Sequence, residues 1–254
     1  MKYAETEIYS HRHHQKNTFS PSGKIRTVFL ILLFLIILSL LLSLVIRAKS
    51  LTLDEQKLYG VSIGDFATEN TANHYATVCK ARGGAGGVYK DGDKYLLFVA
   101  VYASSSDAES VSSNLLAEGE RAYVYQWKLP KVKLTFEKGA KSMIMLTEVT
   151  EIFWNTLSQL LSISLAFDKD LKSISEVVEE IQILQENTNQ AISTAETLKS
   201  EETERLIKEI SVGLAYQKTV LSQLEKNNLK KVDLKVAYFD LLLLNLSLRE
   251  KFYA

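Results

Sequence analysis

The sequence predicts an α+β protein with a single N-terminal transmembrane helix, a ferredoxin-like βαβ-βαβ domain containing a four-stranded antiparallel sheet, and then an all-α helical region. Three observations predict this class. An uncharged apolar run extends from Val28 to Ile46, two successive segments each read as strand, helix and strand, and apolar residues then recur at three- and four-residue steps. The predicted parts are a cytoplasmic tail at 1–24, the transmembrane helix at 25–47, a linker at 48–56, the α+β domain at 57–133 and an α-helical bundle or coiled-coil domain at 137–254.

The apolar run of about 19 residues has the length of a membrane span, because a helix rises 1.5 Å per residue and the hydrocarbon layer is roughly 30 Å thick. A buried core helix, the alternative, would show a polar stripe. The segment ends without a small-residue cleavage site, so we expect a retained anchor, with cleavage as the lesser alternative. More basic residues precede the run than follow it, which predicts a single-pass protein in the cell membrane with a cytoplasmic N-terminus and extracytoplasmic domains.

Composition narrows the function classes. The chain has 30 Lys and Arg residues against 30 Asp and Glu residues, so no strong field favours nucleic acid. With one cysteine, Cys79, the chain cannot form an internal disulfide, and packing alone must hold the exported part. Histidines cluster in the tail at His11, His13 and His14 without a tetrahedral ligand set, so we predict no metal site.

The first βαβ unit begins with an alternating strand at residues 57–64. Tyr59, Val61 and Ile63 share one face of this strand, and the other face carries small residues that include Ser62. A helix follows, with start chemistry at 68–70, and it ends in a glycine-rich turn at 83–87. Phosphate-binding loops place their glycines before a helix rather than after one, so this turn does not predict a nucleotide site.

The second unit repeats the plan. A short strand at 88–90 and a long apolar strand at 95–102 flank an Asp91–Gly92 turn, which indicates a hairpin. Serines at 104–106 cap a second helix, and a last strand alternates over 121–127 before Pro130. The order predicts a four-stranded antiparallel sheet with both helices on one face, which leaves its other face open.

These residues carry a resemblance to a known family. The segment 58–132 resembles a SPOR domain, a bacterial module of cell-division and sporulation proteins, in its aromatic-x-Val-x-x-Gly-x-Phe pattern at Tyr59 to Phe66 and in the alanine at Ala72. The echo at 95–103, followed by Ser-Ser-Asp-Ala at 105–108, completes the match. The order of anchor and module is similar to the layout of stage II sporulation protein B.

The resemblance implies binding to peptidoglycan glycan strands at the division or sporulation septum, where amidases have removed the stem peptides, through the open face of the sheet. On that basis Ser62 stands where the family usually has glutamine, Asp65 where a small polar residue is common, and Trp127 where an aromatic ends the last strand. Aromatic rings such as Tyr125 and Trp127 beside short polar groups suit the faces and hydroxyls of sugars. Tyr123, Tyr125 and Trp127 also fit the alternative that they point into the core.

No catalytic constellation is predicted. His74 and Cys79 lie five positions apart on one helix and so on different faces, which argues against a nucleophile pair and against an enzyme. No cofactor is expected either.

The helical region at 137–254 is too apolar for an isolated coiled coil and favours an antiparallel bundle. It gives a second hypothesis, an oligomerising membrane scaffold whose helices bind a protein partner or self-associate and whose α+β module no longer binds sugar. Exposure of Ser62 and Trp127 on an open face would favour glycan binding, and a covered face would favour the scaffold.

Overall fold

The computed structural model describes residues 28, 31–40, 50–135, 140–198, 204–224 and 228–253. The chain divides into two units, Met1–Val45 and Ile46–Ala254. In the first unit, helix α1 is described over residues 31–40. The second unit contains, in chain order, β1 (Ser50–Leu53), β2 (Gln56–Phe66), α2 (Glu69–Ala81), β3 (Gly87–Asp91), β4 (Lys94–Tyr102), α3 (Ser105–Ala117), β5 (Tyr123–Leu129), β6 (Val132–Thr135), α4 (Ala140–Asp168), α5 (Ile174–Thr197), α6 (Glu204–Ser222) and α7 (Lys231–Tyr253).

The structure corrects the predicted fold class at its N-terminal element. The predicted transmembrane helix at 25–47 is described over residue 28 and over 31–40, and the predicted cytoplasmic tail at 1–24 lies outside the described residues. Among the described residues, no helix has both the length and the apolar character needed to cross a membrane.

The larger sheet of the second unit has four antiparallel strands in the order β3-β4-β2-β5. A two-residue turn joins β3 to β4, and Gly92 has a φ of 58° there, a conformation that suits glycine at the first turn position. The pairing of β2 with β4 shifts register on either side of Ser62. These irregularities change which side chains share a face, so simple alternation along β2 does not hold beyond Val61.

Helices α2 and α3 follow the strands that the sequence predicts before them. Thr68 and Ser104 cap the two helices, since the hydroxyl oxygen of each accepts a hydrogen bond from the backbone N–H three residues later. The face of α2 that carries Ala76 and Cys79 packs against Leu97 of β4. These small side chains let the helix lie close to one face of the sheet.

A second sheet was not predicted. It pairs β1 with β6 in antiparallel register, and β1 lies inside the segment assigned as a linker at 48–56. Arg249 on α7 binds the two segments next to this sheet, the one after β1 and the one before β6. Its guanidinium donates hydrogen bonds to the carbonyl oxygens of Asp54 (3.0 Å) and Pro130 (2.9 Å). The two-stranded sheet therefore joins the start and the end of the α+β module to the last helix.

The helices α4 to α7 pack together and also onto the larger sheet. One core cluster contains side chains of β2, β4 and β5 together with side chains of all four helices. Within the bundle, Gln217 is buried and donates to the hydroxyls of Thr156 (3.0 Å) and Thr188 (2.8 Å), which satisfies its buried amide nitrogen. The face of the sheet that was expected to be open is thus largely covered. Its aromatic and aliphatic side chains pack against the apolar side chains of the helices, and this contact removes both from water.

Candidate functional site

The predicted site residues share one face of the sheet, but the helices divide them into two groups. Cross-strand partners lie on the same face, and the register pairs Ser62 with both Phe98 and Tyr123, and Asp65 with Leu96. Phe98 and Leu96 belong to the core formed with the helices. Trp127 belongs to that core and Ser62 is buried, whereas Tyr125 is half-buried against the core and Asp65 is exposed.

Trp127 is part of the protein core. Its side chain is 3 % exposed, and its ring centroid lies 4.6 Å from that of Phe98 and 6.1 Å from that of Phe239 on α7. The ring also lies against Gly60, where a Cβ atom would stand 2.4 Å from an indole carbon. Only a glycine leaves room for the indole at this position. Trp127 was predicted to contact glycan on an open face, and the packing of α7 against the sheet makes that prediction wrong for this structure.

Ser62 is also inaccessible to a ligand. The residue is 0 % exposed, and its hydroxyl donates a 3.2 Å hydrogen bond to the carbonyl oxygen of Gly64. Ser62 lies between the two register shifts in the pairing of β2 with β4. Its short side chain bonds to the backbone of this bulge and does not face solvent. The prediction that Ser62 is an exposed hydrogen-bonding group is therefore wrong here, because the residue is buried at the irregular pairing of β2 with β4.

Three tyrosines and an ion pair lie on this face where the helical cover ends, and two of these tyrosines, Tyr89 and Tyr125, pack against the edge of the covered core. We call Tyr89, Tyr123 and Tyr125, together with Asp65 and Lys94, the tyrosine patch. Tyr123 is 40 % exposed, and Tyr89 and Tyr125 are half-buried. The centroids of these two rings are 5.9 Å apart although β3 and β5 are the two edge strands, so the rings lean toward each other across the face.

The ion pair of the patch joins β2 to β4. The ammonium of Lys94 lies 2.6 Å from a carboxylate oxygen of Asp65, and the two side chains are 65 % and 43 % exposed. The hydrogen bond and charge of Lys94 lower the pKa of Asp65, which keeps this carboxylate ionised at neutral pH. Because both groups reach solvent, their free lone pairs and N–H groups remain open to a polar ligand.

The hydroxyls of Tyr89 and Tyr125 stay neutral over the physiological range, because the pKa of each is raised. Burial, with the nearby Tyr89 and the negative charge of Asp91, raises the pKa of Tyr125 to about 12. Burial and the charges of Glu250 and Asp91 raise the pKa of Tyr89 as well. The patch therefore combines neutral hydroxyl groups and ring faces with an ionised carboxylate and an ammonium, which is a set of groups suited to a hydroxylated ligand.

Sequence reasoning named two of the five patch residues, Asp65 and Tyr125, as site residues. It placed Tyr123 in an alternating row with Tyr125 and Trp127, and it left open whether this row contacts a ligand or points into the core. The structure divides the row, since Tyr123 is exposed and Trp127 is buried. Tyr89 and Lys94 were not singled out, although their positions beside the Asp91–Gly92 turn carry them to the same end of the sheet.

Comparisons with known proteins identify no family for this chain. No protein-family model matches it, and no curated protein matches it. Among solved structures it is similar to the solution structure of the peptidoglycan binding domain of the B. subtilis cell wall lytic enzyme CwlC, with 23 % identity over 28 % of this chain and 91 % of that chain, and a TM-score of 0.25. A TM-score of this size carries no argument, so the function proposed below rests on the residues of this chain.

Proposed function

We propose that this protein binds glycan strands of peptidoglycan through the tyrosine patch. The observation that carries the proposal is the cluster of three partly exposed tyrosines beside the Asp65–Lys94 ion pair at the uncovered end of the sheet face. The apolar face of a pyranose ring stacks on an aromatic ring, while its hydroxyls bond to charged or hydroxyl groups at the rim. The sequence resemblance described above points to the same class of ligand.

The proposed form of the ligand is a strand without stem peptides. A peptide branch on the sugar would lie between the pyranose ring and the tyrosine rings and would prevent stacking. Such strands arise where amidases act, so we propose a role in bacterial cell division or sporulation at the septum. This role requires the α+β module to act outside the cytoplasm, where the polymer is found.

The experiment is co-sedimentation of the full chain with purified sacculi before and after amidase treatment. The test variant replaces Tyr123 and Tyr125 by alanine, and the matched control is Tyr216→Ala, which removes an exposed tyrosine from α6. Losing two stacking contacts of about 1 kcal/mol each predicts at least a tenfold loss of affinity. We expect amidase treatment to increase pelleting of the wild type and the control but not of the double variant. Equal pelleting of all three proteins would contradict the proposal.

A second candidate, a protein-interaction scaffold, is favoured by the cover over the sheet. Trp127, Phe98 and Leu58 are used for packing against the helices rather than for a ligand. On α6, Val212 and Tyr216 are exposed four residues apart and so lie on one side of the helix, available to another protein surface. Sedimentation equilibrium of the full chain tests this candidate. A dimer that dissociates in the Val212→Ser variant, together with no binding to sacculi, would favour the scaffold over glycan binding.

A further inference from the structure

A cleft of about 670 Å³ runs along β3 at the edge of the sheet and reaches the side chain of Tyr95 on β4. Side chains of α2 form one wall, side chains of α7 form the other, and the floor is made of small residues at 85–87. The floor is shaped by Gly86, whose φ is 57° and where a Cβ atom would stand 2.5 Å from the carbonyl oxygen of Ala76. A cleft of this volume has the size of a binding site for a short segment of chain.

The edge of β3 presents to this cleft backbone groups that form no hydrogen bond with any described residue. The two-residue turn makes Asp91 and Lys94 the closing pair of the hairpin, so their backbones bond to each other. Hydrogen-bonded and non-hydrogen-bonded pairs alternate along an antiparallel ladder, so the N–H and C=O groups of Val88 and Lys90 point away from β4. Both residues line the cleft. A strand edge of this kind is a template for adding one more strand.

The charge in the cleft indicates what kind of segment fits. Asp240 on α7 is partly buried and lines the cleft. Among the described residues, no basic nitrogen lies within 4.0 Å of its carboxylate oxygens, so Asp240 forms no ion pair with them. Burial raises the pKa of Asp240, and the charge of Lys80, which also lines the cleft but forms no ion pair with Asp240 within 4.0 Å, acts in the opposite direction. The ammonium of Lys90 is turned toward the ring of Tyr95, 5.9 Å from its centroid. A cationic side chain entering the cleft would supply the partner that Asp240 lacks.

We infer that the cleft is a docking site for an extended segment of a partner protein, which adds a strand to the outer edge of β3 and places a lysine or arginine side chain beside Asp240. Backbone hydrogen bonds to Val88 and Lys90 supply the strand register, and side chains of α2 and α7 flank the added strand. The site is separate from the tyrosine patch, because it uses the outer edge of β3 and the patch uses the side chain of Tyr89 on the face of the sheet.

The test measures binding of fluorescent seven-residue peptides to the full chain by anisotropy. The probe alternates threonine and valine around a central lysine, and the comparison peptide has glutamate at the centre. Lys90→Pro removes one outward N–H, and proline is tolerated on the free side of an edge strand. Lys90→Ala is the matched control because it removes the same side chain and keeps the N–H. Asp240→Asn removes the charge with little change in shape.

The inference predicts that the lysine peptide binds at least tenfold more tightly than the glutamate peptide. Lys90→Pro should weaken its binding at least fivefold and Lys90→Ala less than twofold, while Asp240→Asn should bring the two peptides within threefold of each other. The NMR signals of the Val88 and Lys90 amides of the wild type should shift on addition of the lysine peptide, a readout that does not depend on any variant. Equal affinities for the two peptides, equal effects of the two Lys90 variants, or unmoved amide signals would each overturn the inference.

Discussion

The packing of the last helix onto the sheet makes a quantitative prediction about Phe239. Its ring is 1 % exposed, and its centroid lies 5.7 Å from that of Phe98 and 6.1 Å from that of Trp127. The ring carbons approach to 2.4 Å from the place where a Cβ atom of Gly87 would be. Phe239→Ala would leave a cavity between α7 and the sheet, because the ring is fully buried among closely packed neighbours.

The expected loss is about 3–5 kcal/mol of the free energy of unfolding, the range for removing a fully buried phenylalanine. The matched control is Tyr216→Ala, which removes an exposed ring from α6 and should change the free energy of unfolding by less than about 1 kcal/mol. Urea denaturation of the full chain, followed by circular dichroism, measures both values.

A double-mutant cycle then asks whether α7 lies on the sheet. Phe239 and Trp127 belong to α7 and β5, so their energies are coupled only if the helix and the strand touch. We expect a coupling energy of about 0.5–1.5 kcal/mol between Phe239→Leu and Trp127→Phe, substitutions that keep most of the apolar volume. Free energies that add to within about 0.3 kcal/mol would refute the cover over the sheet.

Three further predictions concern other contacts of the same unit. Arg249→Met should lower the free energy of unfolding by roughly 2–4 kcal/mol in urea denaturation, because two loop carbonyls lose a charged donor in a buried place; an unchanged midpoint would contradict that role. Gly86→Ala should lower the thermal midpoint, since a Cβ atom would meet the carbonyl oxygen of Ala76 and the φ of 57° disfavours alanine; a variant as stable as the wild type would contradict it. The carboxyl of Asp65 should titrate by NMR below its ordinary pKa and return toward it in Lys94→Gln. Because the folded pKa is lowered, the stability contributed by this pair is present at neutral pH and lost as the pH falls through that pKa, and an identical titration in both proteins would contradict the pair.

The sequence predicts the local elements of the α+β module because each carries its own signal. The Asp91–Gly92 turn marks the hairpin, and Thr68 and Ser104 begin the two helices that follow β2 and β4. Local signals of this kind depend on a few neighbouring residues. The apolar run at 28–46 carries an equally local signal, but no helix among the described residues is long and apolar enough to be the membrane span that this run predicts.

The cover over the sheet has no local signal. Leu58 and Trp127 alternate with polar neighbours in a way that fits either a ligand face or a buried face. Their burial depends on α7, whose Phe239 lies more than a hundred positions further along the chain. The helical region carries more apolar residues than packing within a bundle requires. This excess is the one sign in the sequence that the helices also pack against another surface.

The tyrosine patch depends on register as well as on sequence. The irregular pairing of β2 with β4 places Asp65 and Lys94 on the face that carries Tyr123 and Tyr125, and this placement cannot be read from alternation. Tyr89 and Tyr125 come together from opposite edges of the sheet. Single residues of the site were therefore within reach of sequence reasoning, and their combination was not.

Hydrogen exchange of the full chain with and without soluble glycan strands stripped of peptides tests the central claim most directly. The account predicts slower exchange at the strand ends that carry Tyr89, Lys94 and Tyr123, with no change along α7, because glycan binds at the uncovered end of the face. Faster exchange along α7, or no change at those strand ends, would contradict it.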